Sequence, residues 1–146
     1  MKNLILQIAI AGALIFGSTN ASAQASDQPS KYENPEWKSV VYVDFKSGKY
    51  GRAKEIVDKY YLPASKKSGT PGPEMVLEMR TGEWDLMIIW GFEGGISDMD
   101  WKNSPNNIAW TKALNELAGG ADKAKAIREE YSGLISRSSS QIGKIR

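Results

Sequence analysis

The clearest hydrophobic pattern in the chain is an alternation of apolar with other residues over residues 74–95. Apolar side chains occupy every second position on both sides of Thr81-Gly82, with the period of two expected of β-strands. Gly82 can supply the positive φ that a tight turn needs. The pattern therefore predicts a β-hairpin that turns at Thr81-Gly82.

A turn at this place predicts how the two strands pair. Leu77 would lie opposite Leu86, and Glu78 opposite Asp85. One face would then be entirely apolar, with Met75, Leu77, Met79, Trp84, Leu86, Ile88 and Trp90. The other would be mixed, with Val76, Glu78, Arg80, Glu83, Asp85, Met87 and Ile89. A shift of one residue mixes charged and apolar groups on each face, which disfavours it. We expect the apolar face to pack against helices and the mixed face to meet another sheet or enclose a pocket.

Before the hairpin, the pattern predicts one strand and one helix. Val40–Phe45 is rich in β-branched and aromatic residues, as strands are. A helix should open at Ser47-Gly48, because one apolar stripe follows at helical spacing: Ala53, Ile56, Val57, Tyr60, Tyr61 and Ala64. Pro63 should kink or end this helix, since proline removes a backbone donor.

After the hairpin, two helices and a last strand are predicted. Ser104-Pro105 is a strong helix start, and Gly119-Gly120 a stop. Asp122 can cap a second helix, and Ser138–Ile145 is a polar strand suited to a sheet edge. The order strand, helix, strand, strand, helix pair, strand predicts an α+β ferredoxin-like fold, a four-stranded antiparallel sheet with helices on one face. The other sheet face is then uncovered.

The N-terminal pattern is that of an export signal. Lys2 gives a positive start, Leu4–Phe16 is apolar, and Ala21-Ser22-Ala23 fits a small-x-small cleavage site, with Ala23-Gln24-Ala25 as a second. We predict a signal peptide over 1–23, a flexible lead-in over 24–36 and a folded domain over 37–146. The mature protein would be periplasmic or secreted, without a membrane anchor.

Composition removes several kinds of chemistry. The chain has no Cys and no His, which excludes disulfides, thiolate nucleophiles, and catalysis or haem binding by His. No stretch has the spacing of a calcium loop. The 19 basic residues nearly balance the 17 acidic ones, which gives no support for a nucleic-acid partner. No metal and no cofactor is predicted.

The residues Phe45–Lys49 before an amphipathic helix, Gly82-Glu83-Trp84-Asp85 in the hairpin and Ala109-Trp110 in a late helix resemble the dimeric α/β-barrel superfamily. From Trp37 to the C-terminus the chain is similar to uncharacterised exported bacterial proteins of that type. The resemblance implies a homodimer in which two sheets pack face to face, with a pocket between each sheet and its helices. The superfamily includes cofactor-independent monooxygenases and isomerases as well as proteins without known activity.

Two sets of residues are candidates for a site. Glu78 and Asp85, with Arg80 diagonal to Asp85, could do acid–base work; alternatively, these charges neutralise a dimer seam. Aromatic and amide side chains could form a cage for a flat apolar ligand, or could simply pack in the core. Those predicted to bind a ligand are Tyr60, Trp84, Trp90, Trp101, Asn106 and Trp110.

The sequence therefore predicts an exported homodimer that binds a small apolar or aromatic molecule in a helix–sheet pocket. A cofactor-independent monooxygenase- or isomerase-like enzyme is the alternative, and whether the protein is an enzyme at all stays open at this point.

Overall fold

The computed structural model describes residues 28–146. The predicted signal peptide and the first four residues of the predicted lead-in lie outside this range. Residues 28–31 contain no helix or strand, and the folded unit comprises Tyr32–Arg146. Its strands are β1 (Trp37–Phe45), β2 (Met75–Glu78), β3 (Leu86–Gly91) and β4 (Ile135–Lys144). Its helices are α1 (Tyr50–Ile56), α2 (Leu62–Ser68), α3 (Pro105–Ala118) and α4 (Ala121–Leu134), with a π-helical turn at Val57–Tyr61 and a 3₁₀ segment at Gly95–Asp100.

The four strands form one antiparallel sheet in the order β2-β3-β1-β4. This order, with helices in the two crossovers, is the ferredoxin-like arrangement, and it confirms the predicted fold class. β4 lies at a sheet edge, as its polar sequence predicts. Within residues 28–146, none of the helices has both the length and the apolar character needed to cross a bilayer.

The core lies on one side of the sheet, between the strands and the helices. One buried cluster joins Val43 and Phe45 of β1 to Ala53 of α1, with Leu86 and Tyr131 packed against it. A second cluster holds the helices together, and its buried members are Ala64, Ala113, Leu114 and Ala124. The helical stripe predicted from Ala53 to Ala64 therefore does face the interior, since Ala53, Ile56 and Ala64 are all buried.

The first helix continues past Pro63 instead of ending there. Its backbone widens into the π-helical turn just before the proline and then resumes as α2. Widening accommodates a ring that would otherwise clash with the preceding turn of the helix. Gly69, with φ of 68°, ends the helix in the left-handed conformation.

The predicted pairing of the hairpin is wrong by one residue. Leu77 lies opposite Met87 and Glu78 opposite Leu86, and the Met79 N–H donates to the Asp85 carbonyl at 2.8 Å. The loop between this last pair has five residues, 80–84, and is therefore longer than the tight turn predicted at Thr81-Gly82. The extra residue shifts β2 along β3 by one position, so every side chain of β2 points to the opposite face.

The corrected register makes the uncovered sheet surface more apolar than predicted. On β3 the faces are as predicted, with Leu86 and Ile88 toward the helices. On β2, however, Val76 and Glu78 lie on the helix side. The surface away from the helices is here called the open face. Its apolar part is formed by Val40, Tyr42, Met75, Leu77, Met87 and Ile89, and β4 adds the polar Ser139 and Gln141 at one edge. It carries no acidic or basic residue at its centre.

Candidate functional site

A cleft opens on the helix side of the sheet between β2 and the first helix. Its volume is about 90 Å³. Both the floor and the polar rim come from residues far apart in the chain: Phe45, Tyr50, Ala53, Lys54, Val57, Asp58, Val76, Glu78, Leu86 and Tyr131. This helix–sheet cleft is where the resemblance implies a pocket.

The floor of the cleft is aromatic and aliphatic. The Phe45 ring lies between two tyrosine rings, with its centroid 5.6 Å from that of Tyr50 and 6.1 Å from that of Tyr131. Leu86 closes the sheet side. These contacts belong to the buried cluster around Val43, so the floor is held by the core of the domain.

The polar wall of the cleft is formed by Tyr50 and Glu78. Tyr50 stands at the start of α1 and Glu78 at the end of β2, so the wall joins a helix to the edge strand. Burial raises the pKa of Tyr50 to about 12, and the neighbouring Glu78 carboxylate acts in the same direction. Tyr50 is therefore a neutral hydroxyl at physiological pH.

Two cations lie near this wall, and each already has an acidic partner. The Lys54 ammonium is 3.3 Å from an Asp58 carboxylate oxygen, one turn further along the helix. The Arg80 guanidinium is 3.5 Å from Glu78, but its side chain is 85% exposed. Such exposed ion pairs are screened by water and contribute little.

The predicted catalytic pair of Glu78 and Asp85 does not form as opposed carboxylates. Because the register is shifted, Glu78 faces Leu86, and the Asp85 side chain turns to β1, where it accepts the Phe45 N–H at 2.8 Å. Asp85 is thus a structural acceptor at the end of a strand. Of the three catalytic candidates, only Glu78 lines the cleft, while Arg80 contacts Glu78 from outside.

The sheet separates two of the predicted ligand-binding tryptophans. Trp84 packs on Tyr42 of the open face at 5.7 Å, and the Arg137 guanidinium stacks on its ring at 4.5 Å. Trp110 lies among the helices, edge-on to Tyr61 at 5.2 Å, and donates its indole N–H to Ser65 at 3.1 Å. Trp110 therefore packs in the core, which is the alternative that helical spacing favours.

The other four predicted ligand-binding residues lie in further places. Trp101 and Asn106 line a wider, polar cleft of about 320 Å³ beside Glu93 and Asp98, where Trp101 is 58% exposed. Tyr60 packs against the same helical cluster as Trp110, and Trp90 lies on β3 opposite Ser39. The six residues do not meet in one cage, because their spacing in sequence does not record which side of the sheet each one reaches.

Sequence reasoning missed Tyr50 and Phe45 as lining residues. Tyr50 lies two residues after the predicted helix start at Ser47-Gly48, so its position in the first turn of the helix could be predicted from the sequence. Its contact with Glu78 could not, because it depends on the register of β2. Within residues 28–146, no three acidic side chains are grouped so that they could hold a metal ion.

The raised pKa of Tyr50 predicts a loss of stability at alkaline pH. The folded state holds this proton up to about pH 12, whereas the unfolded chain releases it near 10. The Tyr50 hydroxyl therefore contributes fully to the free energy of unfolding below pH 10, and this contribution is lost as the pH rises from 10 to 12. The free energy of unfolding, measured with urea at stepped pH, should decline less over this range for Tyr50→Phe than for the unchanged protein.

Glu78→Gln supplies the control for the cause of this shift. Removing the charge should lower the pKa of Tyr50 part of the way back, because burial still acts, and tyrosinate absorbance would record it. Identical alkaline titrations for the unchanged protein and both variants would contradict the assignment.

Comparison with known proteins finds likeness in fold. The sequence matches no protein-family model and no curated protein. Among solved structures, two NIPSNAP family proteins from Agrobacterium tumefaciens are similar, each 14% identical to this chain. The match to the first protein covers 82% of this chain and 92% of that protein's chain, with a TM-score of 0.49. The match to the second covers 76% of this chain and 87% of that protein's chain, with a TM-score of 0.46.

A putative antibiotic biosynthesis monooxygenase from Nitrosomonas europaea is also similar, at 12% identity over 73% of this chain and 95% of its own, with a TM-score of 0.39. At these identities the likeness concerns the fold alone. The ferredoxin-like arrangement predicted from the resemblance is the one that the strand order of this chain has.

Proposed function

We propose that this protein is an exported homodimer that binds a small, largely apolar molecule in the helix–sheet cleft of each copy. The observation that carries the proposal is the open face, an apolar surface on the side of the sheet away from the helices, where Met75 is 47% exposed and Leu77 43%. An exposed apolar surface of this kind marks an interaction site.

A second copy of the chain is the partner that the open face fits. Charges at both ends of the face are already paired within the chain, with Lys38 bound to Glu74 at 2.7 Å and Arg137 to Asp44 at 3.2 Å. An identical face can therefore approach without leaving a buried charge unpaired. A two-fold axis places the same patch on both sides of the interface, so one apolar surface is enough.

The size and lining of the cleft indicate its ligand. An apolar cavity of about 150 Å³ holds benzene in an engineered protein, and this cleft has about 90 Å³. Its occupant is therefore a single ring or a short chain that keeps one side exposed. The floor of Phe45, Leu86 and Tyr131 favours apolar groups, and the rim near Glu78 favours a polar end.

Export is supported by the sequence of residues 1–23. Their positive start, apolar run and small-residue cleavage site are those of a secretory signal. A domain without Cys needs no disulfide machinery outside the cytoplasm.

The dimer is tested by a pair of neighbouring substitutions on β2. Leu77 lies on the open face and is 43% exposed, whereas Val76 lies on the helix side and is 51% exposed. Leu77→Asp should raise the dimer dissociation constant at least about 100-fold, because it buries an unpaired charge. Analytical ultracentrifugation over a range of concentrations measures this.

Val76→Asp is the matched control, because it makes the same chemical change on the same strand. It should leave the dimer intact. The pairing predicted from the sequence gives the reverse outcome, so the experiment also tests the register. If the unchanged protein sediments as a monomer even at high concentration, the proposed homodimer is wrong.

The cleft is tested with toluene as an apolar probe. Toluene should bind with a dissociation constant of about millimolar order and shift the NMR signals of Phe45 and Tyr131. Val57→Phe fills the cleft and should weaken binding at least about tenfold. Leu62→Phe, on an exposed residue of the same helix, should not. If both variants bind toluene equally well, toluene binds outside the helix–sheet cleft.

Export is tested by expressing the full chain in a bacterial host with a separate periplasm. The protein recovered outside the cytoplasm should begin at Gln24, or at Ser26 if the second site is cut. Full-length protein confined to the cytoplasm would contradict the proposal.

A further inference from the structure

Burial of its own side chains does not explain why β2 has the register that the structure shows. All four residues of the strand are exposed, on both faces of the sheet. The register of a strand is strongly specified only where one of its faces is buried. In a single copy of the chain, burial therefore distinguishes poorly between the observed register and the one-residue shift that the hydrophobic pattern predicts.

The loop between β2 and β3 has contacts that can make this distinction. Arg137 of β4 donates to the Glu83 carbonyl at 2.7 Å, and its guanidinium lies 4.5 Å from the centre of the Trp84 ring. The same guanidinium donates to the Asp44 carboxylate of β1 at 3.2 Å. Arg137 thus ties residues 83 and 84 of the loop to the other half of the sheet.

The contacts of Arg137 with the loop require the observed register. Trp84 is two residues before Leu86, so with a tight turn at Thr81-Gly82 it would extend β3 and its ring would lie on the helix side. In the structure residues 80–84 form a loop, and the Trp84 ring packs on Tyr42 of the open face at 5.7 Å. A one-residue shift of β2 would therefore move the ring away from Arg137.

Modest contacts are enough to decide between two registers that differ little in burial. The Arg137 side chain is 48% exposed, so water weakens its ion pair with Asp44. The bond to the Glu83 carbonyl and the stacking on Trp84 come in addition to this pair. A shift of β2 would remove both, whereas it would leave the Asp44 pair in place.

We propose that Arg137 is the positioning residue that selects the register of β2 and thereby determines which of its side chains form the open face. In the observed register these are Met75 and Leu77. In the shifted register Val76 and Glu78 would replace them, which would bring a carboxylate to the surface that meets the second copy. This consequence rests on the homodimer proposed above. It makes association depend on Arg137, which lies outside the apolar part of the open face.

Nuclear Overhauser effects between β2 and β3 read the register directly, whether or not the chain dimerises. The unchanged protein should show contacts between the side chains of Leu77 and Met87, which lie opposite each other. In Arg137→Ala, contacts between Leu77 and Leu86 should appear instead, and the dimer dissociation constant should rise at least about tenfold. Trp84→Leu should act in the same direction, because it removes the ring on which Arg137 stacks.

Arg52→Ala is the matched control. The Arg52 guanidinium also binds carboxylates, Glu130 at 2.7 Å and Glu55 at 2.9 Å, but it joins helices and not strands. Its removal should change neither the contacts of Leu77 nor the dissociation constant. Arg137→Lys keeps a positive charge beside Asp44 but lacks the planar group that stacks and donates at once, so it should restore the observed register only in part.

The outcomes separate the register from the dimer. If Arg137→Ala keeps the Leu77–Met87 contacts, the proposal is overturned, and a raised dissociation constant would then place Arg137 in the interface itself. If Arg52→Ala shifts the strand as well, a general loss of stability moves β2 and the proposal is again overturned. If the unchanged protein is a monomer, the homodimer is wrong, but the contacts of Leu77 in Arg137→Ala still decide whether Arg137 selects the register.

Discussion

The hydrogen bonds of Asp85 to the end of β1 are the interaction on which the arrangement of the sheet depends. The Asp85 N–H donates to the Val43 carbonyl at 3.0 Å, and the Asp85 carboxylate accepts the Phe45 N–H at 2.8 Å. Together they fix where β3 begins relative to the central strand. The Met79–Asp85 bond then fixes where β2 ends. Since β2 follows this register, these few bonds decide which side chains reach the open face and which reach the cleft.

The alternation within each strand was sufficient to predict the faces of β3, but it could not predict the pairing of β2. Leu86 and Ile88 face the helices because apolar and other residues alternate along their own strand. The side to which Leu77 points depends also on the length of the loop before Asp85. Thr81-Gly82 suggested a short turn, whereas the backbone bonds of Asp85 favour a loop of five residues. That preference comes from β1, far away in the sequence.

The candidate site shows the same limit. The stripe through Ala53, Ile56 and Ala64 identified the buried side of the first helix, because helical spacing is a local property. The meeting of Tyr50 with Glu78 is not local, since it requires both the helix position and the register of β2. The tryptophans show the same limit. Trp84 and Trp110 have the same side chain and were predicted to line one pocket, but the sheet lies between them.

The corrected register also joins the two halves of the proposed function through one short strand. β2 has four residues at a sheet edge, and they alternate, with Met75 and Leu77 on the open face and Val76 and Glu78 on the cleft side. An isolated edge strand of this length has few contacts to hold it. A second copy packed on Met75 and Leu77 would hold the backbone that positions Glu78. Association through the open face and binding of a ligand in the cleft would then depend on the same strand, although they use opposite sides of the sheet.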